Sequence, residues 1–217
     1  MIRGRFITLE GGEGSGKSTQ SKLLTEWLAG LGLPVLATRE PGGSPAAERL
    51  RSLLLDTAGA GFSPLTEVLL HYAARRDHLE ATIWPALAAG RWVVCDRFTD
   101  STLAYQGHGQ GADLEVIARV RRVVLDDFRP DLTLLLDLPV EEGLRRASHR
   151  SPDSDRYQAL DPAFHRRVQA GFQAIAAAES DRCVVIDALP PAGEVAARIR
   201  AVVSQRFSLS EAGDAGE

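Results

Sequence analysis

The 217-residue sequence predicts an α/β fold, a five-stranded parallel sheet covered by helices on both faces. Three observations predict it. Short apolar, β-prone runs alternate with stretches of helical periodicity. Each run ends near an acidic residue or a turn cluster, which marks one edge of the sheet as the ligand-facing edge. A composition of 44% hydrophobic and 25% charged residues suits one domain that buries its own core.

The first run, Arg5-Phe6-Ile7-Thr8-Leu9-Glu10, stops at a glycine cluster, and Lys17 to Leu31 then shows helical spacing through Leu23, Leu24, Trp27, Leu28 and Leu31. Gly32 and Pro34 end that helix before a second strand, Val35 to Arg39, whose exit Glu40-Pro41-Gly42-Gly43-Ser44-Pro45 is dense in turn residues. A helix from Ala46 to Leu55 follows. Ser63-Pro64 has the form of an N-cap with proline in the first turn, opening a helical region to Ala89 that Pro85 is expected to interrupt. Trp92 to Asp96 is the third strand. Leu132 to Leu136 and Cys183 to Ile186 are the fourth and fifth, with helices between, and a last helix runs from about Ala192 to Phe207. Residues 1–207 read as a single domain without internal repeats. A polar, arginine-bearing lid at about 148–158 stands between two of its helices, and the small, acidic stretch 208–217 is expected to be disordered.

The formal net charge of -4 argues against a nucleic-acid surface. Cys95 and Cys183 are too few for a disulfide framework, no apolar run approaches the roughly 18 residues of a membrane span, and no secretory leader precedes the glycines. These readings predict a cytoplasmic protein that engages neither nucleic acid nor membrane. Cys95 lies in the apolar strand Trp92-Val93-Val94-Cys95, where a cysteine is an inert small residue.

The stretch Gly11-Gly12-Glu13-Gly14-Ser15-Gly16-Lys17-Ser18 meets the G-x-x-x-x-G-K-S/T pattern between a predicted strand and a predicted helix. Glycines let backbone N–H groups turn toward phosphate oxygens, and the helix N-terminus adds partial positive charge. Lys17 would reach the terminal phosphates and Ser18 would ligate Mg2+. A guanine-reading Asn-Lys-x-Asp signal is absent from the sequence, and motors and transporters are longer chains, so the field narrows to small kinases. Asp96-Arg97 ends the third strand, placing a carboxylate near the metal and a guanidinium where two phosphates would meet. Arg39 ends the second strand by the same logic.

Beyond the loop, Thr38-Arg39-Glu40-Pro41-Gly42-Gly43, Tyr72-Ala73-Ala74-Arg75, Asp96-Arg97-Phe98, Ala104-Tyr105-Gln106-Gly107 and Arg129-Pro130-Asp131-Leu132 follow in order. Together with Leu9 to Thr19 they resemble the thymidylate kinase family, bacterial type, nearly end to end. The resemblance implies a P-loop NTPase fold of the nucleoside monophosphate kinase kind, with ATP and dTMP as substrates, Mg2+ as metal, and a homodimer. It implies that Gly11, Gly12, Glu13, Gly14, Ser15, Gly16, Lys17, Ser18 and Thr19 hold ATP, with Arg146 from the lid's approach. Arg97 and Arg51 would hold the dTMP phosphate, with Arg39 in support. Arg75 would donate to a thymine carbonyl, Thr102, Gln106 and Ser101 would meet the base edge, and Tyr105 would pack under the deoxyribose. Glu13 would accept from the sugar 3′-hydroxyl.

The other type in this family carries an arginine just after that acidic residue, where this sequence has Gly14, so the lid is expected to supply the catalytic charge. Arg150 is the first choice and Arg156 the second. Two positions depart from the pattern. His71 stands where the family commonly stacks a phenylalanine on thymine, an imidazole that near its ordinary pKa of roughly 6.5 would make base affinity depend on pH. Gln158 replaces a common glutamate. Two alternatives stay open at this point: a related kinase for another nucleotide or nucleoside, and a nucleotide-binding regulator that has lost transfer.

Overall fold

The structure, a computed structural model, describes residues 4–56, 61–148, 156–157 and 160–209. Five parallel strands form one sheet: β1 (Phe6–Glu10), β2 (Val35–Arg39), β3 (Trp92–Asp96), β4 (Leu132–Asp137) and β5 (Cys183–Asp187), in the order β2-β3-β1-β4-β5. The sequence thus crosses from β1 outward to β2, back to β3, and over β1 to β4. That reversal beside β1 opens a crevice at the carboxyl edge, where the first strand's glycine loop meets the exit of β3. Register keeps those exits level, with Leu9 opposite Asp96 and Arg39 opposite Asp96 on the other side.

β1 is buried throughout, as a central strand covered on both faces must be. On one face Ile7, Leu9, Val94, Leu132 and Leu134 pack against Leu24 and Leu28 of α1 (Lys17–Gly30) and Val195, Ile199 and Val203 of α9 (Ala192–Phe207). On the other, Phe6, Val93 and Cys95 meet α3 (Pro64–His78), α4 (Trp84–Ala88) and α6 (Leu114–Leu125). Burial raises the Cys95 thiol well above its ordinary pKa, in keeping with an inert core residue.

The remaining helices are α2 (Pro45–Leu55), α5 (Thr99–Thr102), α7 (Val140–Ser148) and α8 (Pro162–Ala178). Ser63 caps α3 by accepting from the Thr66 N–H, with proline at the first helical position as the sequence suggests. The break near Pro85 begins earlier than proline itself: Leu79–Ile83 widens into a π-helical stretch before Trp84. Proline's ring would collide with a carbonyl one turn back, and the wider turn moves that carbonyl away. A second π-helical stretch, Leu103–Gly109, carries Tyr105 and Gln106 and packs on α8. Predicted strand and helix bounds otherwise agree with those observed to within one residue. The tail from 210 onward lies outside the described residues. No described helix is long and apolar enough to cross a membrane.

Candidate active site

Between β1 and α1 the chain turns through Gly14 (φ 67°) and Gly16 (φ 91°), both left-handed. Gly16 is the N-cap of α1 and no side chain caps that helix, so its first N–H groups stay available to an anion. A Cβ at Gly16 would meet nothing within 4 Å, which leaves the loop open on its phosphate side. Ser15 Oγ donates to Gly12 O (3.0 Å), and Lys17 Nζ folds over the loop, donating to Gly12 O (2.7 Å) and Gly11 O (3.1 Å). Burial, with help from the Arg97 charge, pushes the Lys17 ammonium down to about 8.

Ser18 Oγ donates to Asp96 Oδ2 at 2.7 Å. The hydroxyl and carboxylate predicted to serve Mg2+ are therefore already side by side. No cluster of three or more His, Cys, Asp or Glu ligands occurs among the described residues. Such a site suits Mg2+, which keeps several waters and takes phosphate oxygens beside one or two protein groups.

Arg97 leaves β3 with a left-handed φ of 71°, uncommon for a residue with a side chain. That twist turns its guanidinium back over the loop. Nη1 donates to Gly11 O (3.2 Å) and Ser101 Oγ (3.1 Å), and Nη2 to Glu13 Oε1 (3.0 Å) and Tyr105 Oη (3.2 Å). Tyr105 Oη donates in turn to Glu13 Oε1 at 2.6 Å. Burial alone would raise the Glu13 carboxyl, but the charges of Arg97 and Lys17 outweigh it and hold it at about 2. Glu13 thus remains an acceptor at any working pH, placed between the loop and Tyr105.

These groups line one cleft of about 240 Å³ together with Gly14, Arg39, Arg51, His71, Arg75, Ser101, Thr102 and Gln106. Arg39 is held by both oxygens of Glu48 (3.0 Å each), and Arg51 Nη1 donates to Pro41 O (2.8 Å). Ser101 is engaged by Arg97 and by Glu10, to which its hydroxyl donates at 2.6 Å. Arg75 is 2% exposed; its Nη2 donates to Phe98 O (3.0 Å) and Thr102 Oγ1 (3.2 Å), while its Nη1 is buried without a partner. Gln106 donates to Glu67 Oε2 (3.1 Å) and Tyr157 Oη (3.1 Å). Gly11, Gly12 and Ser15 form the loop behind the cleft, and Thr19 is exposed on the first turn of α1. Arg146 stands apart on α7, donating to Ala188 O (3.0 Å) and Leu189 O (2.9 Å) at the exit of β5.

His71 faces Tyr157 Oη at 3.4 Å, and burial together with the Arg75 and Arg97 charges pushes it down to about 3. It is neutral in the cleft, which removes the expected protonation near neutrality. Arg156 pairs with buried Glu67, whose carboxylate also accepts from the Tyr157 hydroxyl that faces His71, and Arg150 and Gln158 lie outside the described residues. Sequence reasoning missed three buried acids, Glu10, Glu40 and Glu67, each 5% exposed or less. Glu10 is pushed up to about 7 by burial first and by Asp100 next, while its carboxylate accepts from the Phe98 N–H at 2.7 Å. Glu10 and Glu40 lie within stretches that carried the resemblance, but neither had a role attached.

A left-handed arginine closing over an uncapped glycine loop, with a paired hydroxyl and carboxylate beside it, defines a P-loop phosphotransferase of the nucleoside monophosphate kinase type. The family model "Thymidylate kinase" matches residues 9–199. A thymidylate kinase of Caulobacter vibrioides is 52% identical over 209 residues, covering 96% of this chain and 100% of the relative. One from Synechococcus sp. is 54% identical over 208 residues, covering 96% and 98%. A crystal structure of thymidylate kinase from Ehrlichia chaffeensis superposes with a TM-score of 0.76 at 36% identity, covering 93% of this chain and 99% of that one. The chain belongs to the thymidylate kinase family. Membership sets aside the two alternatives left open by sequence.

Proposed function

We propose that the chain transfers the γ-phosphoryl group of ATP to dTMP, giving ADP and dTDP on the way to dTTP. It works as one P-loop kinase domain over residues 1–207, in the cytoplasm, as a homodimer acting on small molecules, without nucleic acid or membrane. The observation that carries this reading is one cleft with phosphate chemistry at one end and an unpartnered buried donor, Arg75 Nη1, at the other. A buried N–H without an acceptor is costly, and a base carbonyl would satisfy it.

An oxygen of the dTMP phosphate attacks the γ-phosphorus as the bond to the β-phosphate oxygen breaks, in line and without a phosphoenzyme. Arg97, with Arg51 and Arg39, orients the acceptor phosphate. Lys17 leaves the loop carbonyls for the β- and γ-phosphates. Ser18 and Asp96 would hold Mg2+, which supplies charge neutralisation when bound. Glu13 accepts from the sugar 3′-hydroxyl, and Tyr105 beneath the ring disfavours a ribose 2′-hydroxyl. Thr102, Gln106 and Ser101 support base recognition, His71 offers a neutral face for stacking, and Arg150 from the lid neutralises the moving group as water is excluded. A substrate panel tests the assignment: dTMP with ATP and Mg2+ should outpace dUMP, dCMP, CMP and thymidine. Faster turnover of CMP or a nucleoside would overturn it.

A further inference from the structure

Behind the proposed base end of the cleft lies a buried chain of polar groups that the phosphoryl-transfer chemistry does not use. Arg75 Nε donates to Glu40 Oε2 at 2.6 Å. Glu40 Oε1 lies 3.2 Å from His78 Nδ1, and His78 Nε2 lies 2.7 Å from Thr38 Oγ1. His78 is fully buried, and the Arg75 and Glu40 side chains are 2% and 3% exposed. Facing a carboxylate, Nδ1 carries the proton, so Nε2 accepts from the Thr38 hydroxyl. Gly43 closes over this chain, and a Cβ there would stand 2.2 Å from His78 Nε2 and 2.6 Å from Thr38 Oγ1. The motif's second glycine leaves the relay its space.

Arg75 is thereby held at Nε by Glu40 and at Nη2 by Phe98 O and Thr102, with its guanidinium over the Tyr72 and Phe98 rings at 4.7 and 5.2 Å. Those contacts fix its plane and leave one N–H-bearing nitrogen, Nη1, unpartnered. We propose that Thr38, His78 and Glu40 form a relay of positioning residues that aims Arg75 Nη1 at the 4-carbonyl of thymine and so sets base specificity. This rests on the reading of the acceptor as dTMP.

The test compares dTMP with 5-methyl-dCMP, which keeps phosphate, sugar and methyl group but presents an amino donor where thymine has its 4-carbonyl. Dissociation constants and kcat/KM are measured for both. His78→Gln keeps a group near Nε2 and loses the contact to Glu40; His78→Asn keeps a donor near Nδ1 and loses the contact to Thr38. Glu40→Gln and His78→Gln should lower the preference for dTMP about tenfold, the scale of one mispositioned charged hydrogen bond, with the KM for ATP unchanged. His78→Asn should retain most of it. Equal losses for both acceptors, or indistinguishable Asn and Gln variants, would overturn the relay. A wild-type enzyme that already accepts both nucleotides alike would instead overturn base reading by Arg75. Should the position-78 variants lack a cooperative thermal transition, Glu40→Gln alone carries the prediction: a selective loss of preference for dTMP is expected, and an equal loss for both acceptors would overturn the relay.

Discussion

Lys17 shows how the site is set before ATP arrives. Its ammonium, lowered to about 8 by burial, spends its hydrogen bonds on Gly11 and Gly12 carbonyls. Phosphate oxygens raise it again, so ATP binding at pH 8 should take up about half a proton. Calorimetry in buffers of different ionisation enthalpy measures that uptake, and it should vanish in Lys17→Met and fall away below pH 7. Tyr105 offers a second check. Its hydroxyl both donates to Glu13 and accepts from Arg97, so Tyr105→Phe removes a tie between two residues proposed to hold the acceptor. kcat/KM for dTMP should fall by about tenfold, the cost of a hydrogen bond between charged partners, while the KM for ATP holds. The placement of Lys17, Asp96 and Arg97 in one cleft was legible because each sits at the end of a strand or in a loop pattern whose geometry follows from consecutive residues. Glu67 was not. It reads as an ordinary acid in a helix's first turn, and its partners Gln106 and Tyr157 lie 39 and 90 residues away.

At the scale of elements, the glycine loop is pressed against α7. A Cβ at Gly14 would come within 2.0 Å of Gly143 O, and one at Gly143 within 2.4 Å of Glu13 O. Because both obstacles are backbone, Gly143→Ala must push loop and helix apart. kcat/KM should fall for both substrates, and stability should drop by about 1–3 kcal/mol, seen as a lower Tm. α7 also leads toward the proposed lid. Arg150→Ala should lower kcat by about a hundredfold or more with dTMP affinity little changed, as expected when a charge acts chiefly in the transition state. Equal loss of both would place Arg150 in ground-state binding. The two π-helical stretches were not readable in advance, since their loosened hydrogen bonding answers to Pro85 in one case and to the packing of Leu103–Gly109 on α8 in the other.

For the whole molecule, the number and parallel direction of the strands followed from alternation of apolar runs with helices, but their order in the sheet and what ties the sheet to its covering did not. Arg182, just before β5, reaches Asp100 (2.8 and 2.9 Å) and Thr133 Oγ1 (2.7 Å), and Thr133 continues to Thr8 at 2.8 Å. The pair is 4% and 5% exposed. Removing one partner strands a buried charge, so Arg182→Met should cost about 3–5 kcal/mol and lower the Tm by roughly 10 °C. The double variant Arg182→Met with Asp100→Leu should recover much of that loss. Glu13 adds a pH dependence of known sign. Its carboxyl is depressed to about 2 in the fold, so its contribution is complete above about 4.5 and is lost as pH falls toward 2. The abutment of Gly14 on Gly143 also limits what position 14 can hold. With α7 where it lies, a Cβ at that position, an arginine's included, would stand 2.0 Å from a backbone carbonyl, so a charge carried by the loop at this point requires the helix to shift.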